Sequence, residues 1–173
     1  MSGSPSAPSA STSLEEQQTQ LILSAVEEGK MLFRAGQYLE CINAIDKAIA
    51  LSPEDPDLLQ FRGYAYFANG NVDESSADIY DALLVGNTWN WQAVYDLYRS
   101  KDKYELHLRR LEQLRAAEPS MSTHFALGYQ YLVLNHLARG KKEIEKALVF
   151  QPEEPLMTQL VLVVGQMVEA PKQ

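Results

Sequence analysis

The 173 residues contain a single cysteine, which excludes an internal disulfide framework and fits a reducing, cytoplasmic setting. Histidine is nearly as scarce. His107, His124 and His136 are spread along the chain without metal-ligand spacing or a paired nucleophile, so no metal, no cofactor and no enzymatic activity is expected. No apolar run approaches the roughly 20 residues of a membrane span. The N-terminus has neither a basic start nor an apolar core, so no secretory signal is expected. Basic residues are outnumbered, 15 against 23 acidic ones, giving a net charge of −8 and a pI near 4.9. That balance argues against a nucleic-acid binder, which needs a basic face. Gly29-x6-Gly36 lacks the spacing and the following lysine of a phosphate loop.

What the chain does have is an internal period. Gly29 and Gly63 are 34 residues apart, as are Gly36 and Gly70, Ile45 and Ile79, and Ala48 and Ala82. A fixed period of that length marks stacked helical hairpins, none of which can bury its apolar face alone. Gly29 is followed by Leu32, Gly36, Tyr38, Cys41, Ile45, Ala48 and Pro53; Gly63 is followed by Tyr66, Gly70, Val72, Ser75, Ile79, Ala82 and Asn87. The pattern returns in Leu127-Gly128-x2-Tyr131, Gly140-x3-Ile144, Ala147 and Pro152. A degenerate unit lies between, carrying Trp91, Tyr98, Tyr104, Leu111 and Pro119 at the corresponding positions. Together these residues resemble the tetratricopeptide (TPR) repeat. The resemblance implies an all-α, right-handed α-solenoid of four helical hairpins plus a C-terminal capping helix.

In order, Met1–Thr12 reads as a disordered Ser/Ala/Pro-rich tail or linker. Ser13 with Glu16 makes a capping box that starts a helix, and the domain is expected over 13–169. The repeats fall at about 21–54, 56–87, 88–119 and 121–154, and helix B of the first runs from about Tyr38 to Leu51. Turns are expected at Ala35–Gly36 and Asn69–Gly70, with Pro56 tolerated in a first helical turn. Over 156–168, Leu156, Met157, Leu160, Val161, Val163, Val164, Met167 and Val168 share one broad helical arc, as a cap on the last repeat requires.

The two helices of a TPR hairpin cross closely at its eighth and twentieth positions, so small residues belong there. Three units supply Gly29/Cys41, Gly63/Ser75 and Gly128/Gly140. The third instead holds Tyr95 and His107, and the connection into it is two residues short. Its helices are therefore expected to splay apart and rotate, with Trp89 and Trp91 at the bend.

In this family the concave face is lined by the second, fifth, ninth and twelfth positions of each A helix. Carried onto this chain, the resemblance gives a partner-binding groove of Lys30, Phe33, Gln60, Tyr64, Phe67, Trp89, Gln92, Arg99, Phe125 and Tyr129. Aromatic and Arg anchors of this kind suit a peptide or helix of a protein partner. The alternative is that several of these aromatics pack between adjacent A helices. TPR proteins that clamp acidic chaperone tails place Lys, Asn and Arg where this chain has Val26, Lys30, Phe61, Trp89 and Ala93, so that clamp is absent. The basic run Arg99, Lys101, Lys103, Arg109, Arg110 and Arg115 reads as a solvated helix face, with an acidic partner patch as the other reading. The functional expectation is a non-catalytic, monomeric protein-interaction module. A self-assembling scaffold using the groove or the last helix is the alternative.

Overall fold

The computed structural model describes residues 10–86 and 88–169. Among these residues there are nine α-helices and no strand: α1 (Ala10–Ala35), α2 (Tyr38–Leu51), α3 (Pro56–Asn69), α4 (Val72–Val85), α5 (Trp91–Tyr98), α6 (Lys101–Ala117), α7 (Met121–Val133), α8 (Leu137–Phe150) and α9 (Pro155–Glu169).

Local chemistry sets most boundaries. Gly36 (φ +80°) and Gly70 (φ +93°) end α1 and α3 in the left-handed region, where a side chain would be strained. Asp55 caps α3 by accepting from Asp57 N and Leu58 N, with Pro56 in the first turn. Asn90 and Ser100 cap α5 and α6 in the same way, and Ser120 with Thr123 forms a capping box at α7. At the N-terminus α1 begins at Ala10, so Ser13 lies inside the helix and does not cap it. Residues 1–9 of the expected tail lie outside the described residues. The added turns of α1 reach the end of α2, where Gln18 donates to the Leu51 carbonyl at 2.6 Å.

Three hairpins, α1–α2, α3–α4 and α7–α8, are built alike. A Cβ on Gly29 would come within 2.7 Å of Ile45, one on Gly63 within 3.0 Å of Ile79, and one on Gly128 within 2.7 Å of Ile144. All three isoleucines are fully buried. Each A helix therefore rests directly on an isoleucine of its B helix, a close contact that a larger residue would crowd. Arg62 of α3 adds a polar tie, donating to both carboxylate oxygens of Asp78 (2.7 and 2.6 Å) and to Asp46 of α2 (2.6 Å). Burial pushes the Asp78 carboxyl up and the Arg62 guanidinium beside it pulls it back down.

The third hairpin is not the third member of this stack. Helix α4 packs directly on α7, so the array runs α1–α2, α3–α4, α7–α8 and then α9. Ser76 Oγ donates to the Ser122 carbonyl across that junction at 2.9 Å, and the Tyr80 and Phe125 rings meet edge-on at 6.1 Å. Helices α5 and α6 lie to one side, α5 against α1 and α6 against α3 and α7. They are the most loosely packed of the four helix pairs. The expected splaying and rotation of the third hairpin thus goes further than a bend, because the pair leaves the stack. Tyr95 and His107 cannot form the small-residue crossing, and the chain instead turns this pair onto its neighbours.

Helix α9 packs on α8 through Met157 and Val164, and Glu154 fixes its start by accepting from Leu156 N and Met157 N. The expected apolar arc is only partly covered, because Val163, Met167 and Val168 remain exposed. Leu162 stands at the position where the earlier A helices carry glycine, and it is exposed.

Candidate peptide-binding site

Five of the ten expected groove residues converge on one face of α1, α3 and α7, and that face is covered. Phe33, Gln60, Tyr64, Phe67 and Tyr129 are all buried, because α5 and α6 lie on them. Tyr98 meets Phe33 edge-on at 4.8 Å, Trp89 stacks on Tyr64 at 5.6 Å, and Tyr104 and His107 stand against Phe67 at 6.2 and 6.0 Å. Hydrogen bonds knit the two layers. Gln60 Oε1 accepts from Trp89 N (2.8 Å) and from the Tyr129 hydroxyl (2.7 Å). Gln130 Oε1 accepts from Tyr104 (3.0 Å) and Tyr64 (3.4 Å). These buried aromatics are a floor with the chain's own hairpin on top, and in this conformation they offer no surface to a partner.

Phe125 faces elsewhere, towards Tyr80 of α4. Gln92 is exposed, and Arg99 is exposed at the left-handed C-cap of α5 (φ +52°), 3.5 Å from Asp96. Lys30 is half-buried and pairs with Glu27 at 2.7 Å. Trp89 is half-buried, and its indole N–H donates to Asp57 at 2.8 Å.

The electrostatics of the covered face favour neutral groups. Burial pushes the phenols of Tyr64, Tyr98, Tyr104 and Tyr129 up, so they remain protonated donors. His107 sits between the hydroxyls of Tyr98 (3.0 Å) and Tyr38 (3.5 Å). Burial, with Arg110 and Lys103 nearby, lowers its pKa to about 4. The buried Cys41 thiol is pushed up to about 12, which leaves it protonated and unreactive near neutral pH. Among the described residues no group of three or more His, Cys, Asp or Glu is placed to hold a metal ion.

What stays open is the N-terminal half of the same face. A groove of about 680 Å³ runs between α1, the start of α3 and α5, lined among others by Leu23, Val26, Lys30, Asp57, Trp89 and Arg99. Leu23 is 52% exposed there. At the closed end Arg34 donates to the carbonyls of Asp96 (3.0 Å) and Leu97 (3.2 Å), the free C-terminal carbonyls of α5. Lys103 in turn donates to the Arg34 carbonyl at 2.9 Å.

Repeat positions alone did not identify Arg34, Val94, Leu97, Tyr98, Tyr104, His107 or Gln130 as parts of this face. The available signal was the pair Tyr95 and His107, which marks the unit whose helices cannot cross closely.

Three helical hairpins clasped at matching glycines and stacked in sequence, with a terminal helix, define the architecture. The fold is an all-α stack of TPR-like helical hairpins. No protein-family model and no curated protein matches the chain. Solved structures similar to it include TPR domains. One is the first TPR of Spaghetti (RPAP3) bound to the HSP90 peptide SRMEEVD, with 20% identity, 87% of this chain and 95% of that one covered, and a TM-score of 0.41. Another is the second TPR domain of human RPAP3 in complex with the HSP70 peptide SGPTIEEVD, with 16% identity, 86% and 98% coverage, and a TM-score of 0.43. A third is the Sgt2 TPR domain from Aspergillus fumigatus, with 16% identity, 99% and 93% coverage, and a TM-score of 0.38. No helix among the described residues is long and apolar enough to cross a membrane.

Proposed function

We propose that this chain is a non-catalytic protein-interaction module that holds a partner's peptide or helix in the groove between α1 and α5. The observation that carries the reading is the continuity of the A-helix face. Its C-terminal half already receives a helix, α5, on Phe33 and Arg34, and its N-terminal half continues the stripe uncovered through Val26 and Leu23. Lys30, Trp89 and Arg99 stand on the walls of that open half. A net charge of −8 points to a protein and not a nucleic acid as partner. The unpaired Cys41 suits the cytoplasm. An acidic chaperone tail is not the ligand we assign, because the matching positions hold Val26, Lys30, Phe61, Trp89 and Ala93. Panning a displayed peptide library on the full chain tests the reading. Enriched peptides should lose at least tenfold in affinity on Leu23→Asp and keep it on the distant control Glu74→Ala. Peptides indifferent to Leu23→Asp would place the site elsewhere.

A second reading, self-association, is favoured by the uncovered apolar residues Leu162, Val163, Met167 and Val168 of α9. Light scattering at rising concentration separates the two, since only self-association makes the mass grow and only there does Leu162→Lys reverse it.

A further inference from the structure

The covered half of the A-helix face carries an occupant of its own. Along α5, Val94, Leu97 and Tyr98 are buried at helical spacing, and Gln92, Tyr95 and Arg99 face outward. With Trp89 just ahead, the segment presents one aromatic and aliphatic stripe to Phe33, Gln60 and Tyr64, as a partner helix would. The clamp at its end is not specific to its sequence. Arg34 holds two backbone carbonyls at a helix C-terminus, groups that any docked helix ending there would offer.

The rest of the molecule does not need this segment in place. Helix α4 reaches α7 directly, so the stack is continuous without α5. Helix α6 is anchored separately. Glu112 accepts from Tyr131 at 2.6 Å and stands 3.7 Å from Arg139, and Arg115 lies 3.6 Å from the buried Glu143 of α8. Helix α5 itself has eight residues, below the roughly 12–15 at which an isolated helix persists in water, so it holds its shape only while docked. The docked state is also imperfect. The non-glycine Arg99 is held in the left-handed region at the end of α5, where a side chain is strained.

We propose that residues 88–98 are a built-in ligand of the A-helix face, in equilibrium with an undocked state. A partner helix bearing the same aromatic–aliphatic stripe then takes the vacated site on Phe33, Tyr64 and Tyr129. This deepens the groove reading by giving the site its regulation, and it rests on that reading for the partner alone. Undocking is a property of the isolated chain.

The test has two arms, both on the full chain. In the first, native hydrogen exchange is followed by mass spectrometry. The amides of 91–98 should exchange at least tenfold faster than those of α3 and α7, and Arg34→Ala should raise that ratio further without changing α3. In the second, a fluorescein-labelled synthetic peptide of residues 86–100 is titrated against wild type and against Leu97→Asp, which unseats α5 and leaves the floor intact. The variant should bind at least tenfold tighter than wild type, and a peptide carrying the same Leu97→Asp change should not bind. Equal binding to wild type and to a Leu97→Asp chain that stays helical by circular dichroism overturns the proposal. If Leu97→Asp does not fold, the exchange arm decides, and exchange of 91–98 at the rate of α3 overturns it. Library peptides that depend on Leu23 would survive either failure, which keeps this inference separable from the groove reading.

Discussion

The α3–α4 and α5–α6 hairpins occupy successive units of one repeating sequence, and they are held by different forces. In α3–α4 the helices cross at Gly63 and Ser75, and the Ser75 hydroxyl donates to the Gly63 carbonyl at 2.8 Å. Ile79 lies under the glycine, and Arg62 spans the pair to Asp78. In α5–α6 the same two positions hold Tyr95, 38% exposed, and His107, buried against Tyr38, Tyr98 and Phe67 from three other helices. One hairpin is held by its own interior and the other by what it lies on. The difference shows that a repeat period specifies hairpins, and that two side chains per hairpin decide whether it joins the stack or leaves it.

Four substitutions sharpen or break that contrast, and the two tryptophans make it measurable. Trp89 and Trp91 are the only ones in the chain and both flank the start of α5, so fluorescence reports the inserted hairpin and far-UV circular dichroism reports the whole. The largest effect belongs to a residue shared by both regions. Tyr64 is fully buried under Trp89, and Tyr64→Ala should cost about 4 kcal/mol in urea unfolding, with both signals shifting. A loss confined to fluorescence would show that Tyr64 serves only the inserted hairpin.

Next is the pH dependence of that hairpin. His107 has a folded pKa of about 4 against an ordinary value of 6.5, so the unfolded chain binds the extra proton between those pH values. Its neutral burial is fully tolerated above pH 6.5. Stability falls as pH drops from 6.5 towards 4, by at most about 3 kcal/mol at 1.36 kcal/mol per pKa unit. His107→Gln should flatten the fluorescence midpoint over that range, and an unchanged slope would contradict the assignment to His107.

Two smaller effects test the crossing directly. A Cβ at Gly128 would meet the Gly140 carbonyl at 3.1 Å and Ile144 N at 3.2 Å, both backbone atoms that cannot swing aside. Gly128→Ala should therefore cost about 2 kcal/mol despite the better helix propensity of alanine. At the matching position of the inserted hairpin, Tyr95→Ala should change stability by less than about 1 kcal/mol, since Tyr95 clasps nothing. Equal costs at the two positions would mean that the hairpins are built alike after all.

The boundaries legible in the sequence were those set by local chemistry. The second helix runs over Tyr38–Leu51 as read, the turns fall at Gly36 and Gly70, and Pro56 opens α3. The start of α1 was misplaced, because a capping box at Ser13 is a local preference and Ala10–Thr12 contains nothing that stops a helix. The concave phase of Phe33, Gln60, Tyr64, Phe67 and Tyr129 follows from the 34-residue register, and the structure does gather these five on one face. Their burial was not legible. Periodicity states which way a side chain points and says nothing of what comes to lie on it, and the covering residues Tyr98, Tyr104 and His107 read in sequence as members of an ordinary repeat. Phe125 left the set for a related reason, since α7 follows α4 in space and turns that ring to Tyr80.

The most direct test is a nuclear Overhauser spectrum of the aromatic side chains in the full chain. The stack from α4 to α7 requires cross-peaks between the Tyr80 and Phe125 rings, centred 6.1 Å apart, and the inserted hairpin requires them between Trp89 and Tyr64 at 5.6 Å. Observation of both pairs is the expected result. Cross-peaks joining α4 to α5, with none between Tyr80 and Phe125, would restore four hairpins in continuous register and contradict the filled concave face.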